Sequence, residues 1–192
     1  MALRRIICLL LLLLAIAPLA FSAEGKPAPS RVAEVSYKRD GNGFLTVDFT
    51  VEGLMDGRLK STLDSGLPVR FTYTVRLLRL DRGLWEGDSV FLTFERVLEK
   101  DNLKNRYIMS DGDKKINYGA VEEALGAMSK VEGLTVCEAT RLDTDSKYRS
   151  EIQVKFEEFR LPFFLHRFLP LVSLGDLKTP WRKDSLPPEL YR

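Results

Sequence analysis

The chain holds a single histidine, His166, set between Leu165 and Arg167, and no Gly-x-Ser-x-Gly elbow accompanies it to place a nucleophilic serine. A zinc site wants three or four nitrogen or sulfur ligands at paired spacing, which one histidine and one distant cysteine do not supply. His166 is therefore read as a structural or surface residue. Carboxylates are plentiful but badly arranged for acid–base work. Glu122-Glu123 and Glu157-Glu158 are adjacent pairs, and neighbours on a helix or strand point in different directions. Asp111-Gly112-Asp113 and Asp143-Thr144-Asp145 resemble fragments of calcium loops, yet neither carries the later Asp/Asn-Gly step, and the position that would close the second loop is Val154. Both read as polar turns. With no glycine-rich phosphate loop either, no catalytic residue, metal ligand or cofactor is expected, and the chain reads as a non-enzyme.

What remains is suited to binding. Arg79, Arg82 and Trp85 gather in the hairpin stretch Arg79 to Trp85, and arginine with an aromatic ring at a loop tip is the composition of an interaction hot spot. The competing expectation is that Trp85 folds back over the core. Leu161 to Leu174 is the most apolar piece after the N-terminus and contains Phe163, Phe164 and Phe168. Exposing Phe163, Phe164, Leu165, Phe168 and Leu169 would forgo about 1.5 to 3 kcal/mol each. Packing against a sheet is therefore the first expectation for this strip, and a docking surface the second. Trp181 lies in a following extended tail and completes the set of candidate partner-binding residues.

The segment before all of these sets the compartment. Arg4-Arg5, an unbroken apolar run from Ile6 to Ala17, and small residues at Ala20 and Ser22 read as an export signal over residues 1–23. Pro18 interrupts the apolar stretch short of the roughly 20 residues that cross a bilayer. Cleavage and release into the periplasm are thus expected over an uncleaved inner-membrane anchor, and contact with the membrane is expected only if the signal stays. Removing Arg4 and Arg5 from 29 Lys+Arg leaves 27 against 27 Asp+Glu, so the formal charge of +2 falls to zero. A nucleic-acid partner is disfavoured, because phosphate binding draws on basic excess. Of two cysteines, Cys8 leaves with the signal and Cys137 stands alone in an apolar stretch, as a structural thiol.

Strand periodicity dominates the rest. Leu45, Val47, Phe49 and Val51 alternate with polar residues, as do Val69 to Leu77, Val90 to Phe94 and Ile152 to Phe156. Such alternation marks antiparallel sheet with one covered face. Asp40-Gly41-Asn42-Gly43 and the Asp81–Asp88 turn read as hairpins. Helical spacing occurs at Met55, Leu59 and Leu63, ended by Gly66 and Pro68, and at Val121, Leu125 and Met128, opened by Asn117 and closed near Gly133. The expected organisation is a signal (1–23), a flexible leader (24–31), one α+β domain (32–176) and an extended C-terminal tail (177–192). The domain is expected to be a mainly antiparallel curved sheet or two-sheet sandwich with two helices.

Ser65 to Arg76, the Leu84-Trp85 turn, Leu103 to Tyr107, the Ala120–Leu125 helix and Leu161-Pro162 together resemble the bacterial exported domain of unknown function family 4390, over roughly Val32 to Pro180. The resemblance implies a bacterial envelope protein, with an accessory role in envelope sensing as one version, and carries no activity or catalytic residue with it. The expected function is a non-enzymatic periplasmic module that binds another envelope component, an unidentified protein. A carrier of lipid or another apolar ligand is the alternative, and a cell-wall hydrolase a more distant one.

Overall fold

The computed structural model describes residues 29–54, 57–80, 88–158 and 177–192. The segment expected to be an export signal, and Arg82, Trp85, Phe163, Phe164, His166 and Phe168, lie outside the described residues.

Strand β1 (Arg31–Arg39) and β2 (Phe44–Glu52) form the first hairpin. Its turn is made by Asp40, whose Oδ1 accepts the N–H groups of Asn42 and Phe44 at 2.9 and 2.8 Å, while Gly43 takes a φ of +84° that a side chain would resist. Along β2, Leu45, Val47, Phe49 and Val51 are buried and the residues between them are not, as a period of two requires. Helix α1 (Gly57–Asp64) buries Leu59 and Leu63. It ends in a Schellman turn: Gly66 at φ +77° donates to the Leu63 carbonyl at 2.9 Å, and Leu67 donates to that of Thr62 at 3.2 Å.

Next come β3 (Val69–Arg79), β4 (Asp88–Asp101), β5 (Arg106–Asp111) and β6 (Lys114–Tyr118), each antiparallel to the one before. Strand β4 runs well past the apolar alternation of Val90, Leu92 and Phe94: the inward positions that follow are Arg96, the fully buried Leu98 and Lys100. Arg96 donates to Asp111 Oδ2 at 2.8 Å and to the Lys130 carbonyl at 2.7 Å, and Lys100 pairs with Asp64 at 2.7 Å. Asp111-Gly112-Asp113 lies at the tight β5–β6 turn.

Helix α2 (Val121–Ser129) and β7 (Lys130–Glu138) follow without a loop between them. Two expectations are corrected here. Asn117 sits in β6, and Ala120 caps the helix with no side-chain bond; Gly133 is inside β7 rather than at the helix end. Gly133 has φ +62° and donates its N–H to Asp48 Oδ1 at 2.6 Å, so the glycine marks an irregularity where β7 pairs with β2. Sequence spacing alone does not separate a glycine that ends a helix from one that kinks the adjoining strand.

Strand β8 (Tyr148–Glu158) lies beside β3, and β9 (Leu177–Lys178) and β10 (Arg182–Ser185) run along its other edge. The C-terminal segment is thus paired backbone: Thr179 donates its N–H to the Val154 carbonyl at 2.9 Å and takes the Val154 N–H on its own Oγ1 at 3.0 Å. Beyond it Leu186 and Tyr191 are buried, and Tyr191 donates its hydroxyl to the Ser146 carbonyl at 2.9 Å.

The result is an α+β sandwich of two antiparallel sheets, β1–β2–β7 and β10–β8–β3–β4–β5–β6, with β9 also on β8, not closed into a barrel. The core between them joins Phe49 of the small sheet to Tyr73 of the large one, ring centroids 6.3 Å apart. Tyr73 stacks on Phe94 at 4.7 Å and donates its hydroxyl to the Met128 carbonyl at 2.5 Å, tying sheet to helix. Burial drives its phenol pKa well up. The sheets approach along the β1 side, where burial pushes the Tyr37 phenol up to about 12.

Candidate functional site

Because Val69, Phe71, Tyr73, Val75 and Leu77 of β3 face the core, Arg70, Thr72, Thr74 and Arg76 face outward. Backbone register then sets a transverse row on that outer face. Arg76 is opposite Phe91 on β4 and opposite Glu151 on β8, and Glu151 is opposite Lys183 on β10. Four strands thus place Phe91, Arg76, Glu151 and Lys183 side by side.

Glu151 is the unusual member, only 1 % exposed although it lies on the outer side. Arg76 donates Nε at 3.0 Å and Nη2 at 2.5 Å to its Oε2. Arg149 donates Nε at 3.0 Å to Oε1, and Lys183 Nζ lies 3.5 Å from the same oxygen. Burial works against the charged carboxylate, but Arg76, Lys183 and Arg149 outweigh it and hold the pKa below the ordinary 4.5. An ionised Glu151 is the physical anchor of this face.

Two aromatic rings border the anchor. The guanidinium of Arg76 lies 4.2 Å from the ring centre of Trp181, which the C-terminal segment brings in just before β10. Phe91 is 60 % exposed. The other large exposed apolar side chains among the described residues, Leu103 and Ile116, sit at the β4–β5 turn and on β6, away from the row. Lys183 is 56 % exposed and Arg76 30 %, so cation, aromatic and apolar surface are presented together.

Of the candidate partner-binding residues, Trp181 belongs to this cluster. Arg79 does not: it lies on the opposite alternation of β3, and its Nη2 donates to Asp143 Oδ2 at 2.8 Å. That carboxylate also takes the Asp145 N–H at 3.0 Å, an interaction that helps hold its pKa low, so Asp143-Thr144-Asp145 is a braced polar turn. Residues Phe91, Arg76, Glu151 and Lys183 escaped sequence reasoning. Their only local signal is an outward position in an alternating strand, which dozens of solvated residues share.

Other chemistry-bearing groups among the described residues have partners or unpromising surroundings. Glu122 lies 3.8 Å from Lys60, and Glu157 accepts from Lys155 at 2.5 Å. Cys137 is half-buried on β7, and burial raises its thiol pKa, the opposite of what activates a nucleophile. Among the described residues, no three or more His, Cys, Asp or Glu side chains gather as a metal site, and no helix is long and apolar enough to cross a membrane.

Comparison with known proteins gives one finding. The family model described as Domain of unknown function (DUF4390) matches residues 29–184. No curated protein and no solved structure matches the chain.

Proposed function

Since the chain belongs to the DUF4390 family, which is defined by its sequence and not by an activity, we propose that it is a non-enzymatic binding module that docks another protein on the outer face of its large sheet. The observation that carries this reading is the row Phe91, Arg76, Glu151 and Lys183 with Trp181 over Arg76. Arginine and aromatic residues dominate binding energy where they are held rigid and partly dry. Here the sheet backbone and a buried carboxylate do the holding. The N-terminal pattern of residues 1–23 supports placing the module outside the cytoplasm, in the periplasm, where an accessory role in envelope sensing would need just such a protein-binding surface.

Site-specific photocrosslinking in intact cells tests the proposal. A photoreactive residue at Phe91 captures one envelope protein reproducibly, whereas the same residue at Lys115, on the same sheet but in β6, does not. Capture at neither position, or equal capture at both, overturns it. The carrier reading has less support, because the described interior positions are filled: Phe71 meets Phe156 edge-on at 5.0 Å, and Tyr73, Phe49, Leu63, Leu98 and Met128 are fully buried. Lipid co-purifying with the protein at one molecule per chain, together with failed crosslinking at Phe91, would install the carrier in its place.

A further inference from the structure

Resting on that reading of the sheet face, we propose that the docked partner presents an acidic segment, with carboxylate side chains beside an apolar or aromatic one, laid across the Phe91–Arg76–Glu151–Lys183 row.

Charge complementarity carries the assignment. Without Arg4 and Arg5 the chain has equal numbers of acidic and basic residues, so its surface is balanced on average. The row is not. Arg76 and Lys183 both converge on the single carboxylate of Glu151, an excess of one positive charge before Arg149 is counted as the third cation on the same group. Elsewhere on this face Arg70 pairs with Glu95 and Lys155 with Glu157.

The donors also have capacity left. Arg76 uses Nε and Nη2 on Glu151, and among the described residues no hydrogen bond uses its Nη1. Lys183 sits at 3.5 Å from Glu151, close enough to feel the charge and too exposed to be used up by it. A second carboxylate arriving from outside would meet these two cations without displacing the first. The Trp181 ring on one side and Phe91 on the other then define where an apolar side chain next to that carboxylate would lie. Glu151 has a further consequence: being buried and ionised, it keeps the cations in place while unbound and leaves little ordering to be done on association.

The test is selection from a random dodecapeptide phage library on protein purified from cells, followed by binding of the enriched peptides in fluorescence anisotropy. The expected sequences pair Asp or Glu with an aromatic or large aliphatic residue. Phe91→Ser and Lys183→Gln weaken them by about tenfold or more at low salt, and raising the salt weakens wild-type binding. Lys115→Gln, which removes the same charge from β6, changes affinity by less than about twofold. Both altered side chains in the row are more than half exposed, and unchanged melting temperatures verify that the variants are folded. Peptides without acidic enrichment, or peptides indifferent to both row substitutions, overturn the proposal. So does binding to phosphatidylglycerol vesicles that is lost in Lys183→Gln while no acidic peptide is selected, which assigns the face to a membrane surface. Each of these outcomes leaves the broader binding reading to the Phe91 crosslink, so the two failures are distinguishable.

Discussion

Replacing Arg76 by glutamine withdraws the principal partner of a buried carboxylate, and the size of the loss follows from the contacts. Breaking a fully buried ion pair by removing one side costs about 3 to 5 kcal/mol. Here Arg149 and Lys183 remain on Glu151, and the Arg76 side chain is 30 % exposed, so about half of that range is the better figure. The stacking of Arg76 on Trp181 at 4.2 Å adds about 0.5 to 1 kcal/mol. The expected cost of Arg76→Gln is thus about 2 to 3.5 kcal/mol, a fall in melting temperature of about 4 to 14 °C for a chain of this size. Urea denaturation and calorimetry measure it. In a Glu151→Gln background the same substitution costs at least about 1 kcal/mol less, since no buried charge is left stranded. Acid gives an internal control. The folded pKa of Glu151 lies below its unfolded value, so its contribution is present above the ordinary carboxylate pKa and is lost as pH falls through the depressed folded one. The stability gap between wild type and Glu151→Gln therefore closes on acidification. A cost below about 0.5 kcal/mol for Arg76→Gln, an identical cost in both backgrounds, or a gap that widens in acid refutes the reasoning.

Three further outcomes are expected. Tyr73→Phe deletes the buried hydroxyl that bonds the Met128 carbonyl and costs about 1 to 2 kcal/mol in urea denaturation, with the near-ultraviolet spectrum otherwise retained. Gly66→Ala forces a side chain into φ +77° with its Cβ 2.9 Å from the end of the Asn102 side chain; because that amide can swing away, the loss is about 1 kcal/mol from the backbone, and Gly66→Asn loses less. Leu186→Ala removes a buried anchor of the C-terminal segment and costs about 2 to 4 kcal/mol, with faster hydrogen exchange at the Val154 amide that Thr179 covers.

The strands were legible wherever one face is apolar and the other polar. Val69 to Leu77 alternates in the sequence and alternates in burial. Legibility failed where inward positions are charged. Arg96 and Lys100 break the apolar pattern of β4, yet they point inward because Asp111, Asp64 and the carbonyl of Lys130 are there to receive them. It failed again at the end of α2, where Gly133 serves a strand irregularity and Arg96 donates its Nη1 to the Ala127 carbonyl in the last helical turn.

The amino-acid sequence by itself determined the mainly antiparallel α+β class, the outward placement of Arg76 and Glu151, and the family, because alternation, turn residues and helical spacing are properties of neighbouring positions; that the strands divide into two sheets came from the tertiary structure. It did not determine that Phe91, Arg76, Glu151 and Lys183 share one line, nor that Trp181 covers the second of them. Those facts depend on the register of four strands, of which β8 pairs with β3 and β10 with β8 across intervening chain, and register is set only when both sheets close over a common core. A local pattern specifies which side of a strand a residue occupies; only the assembled sheet specifies what stands next to it.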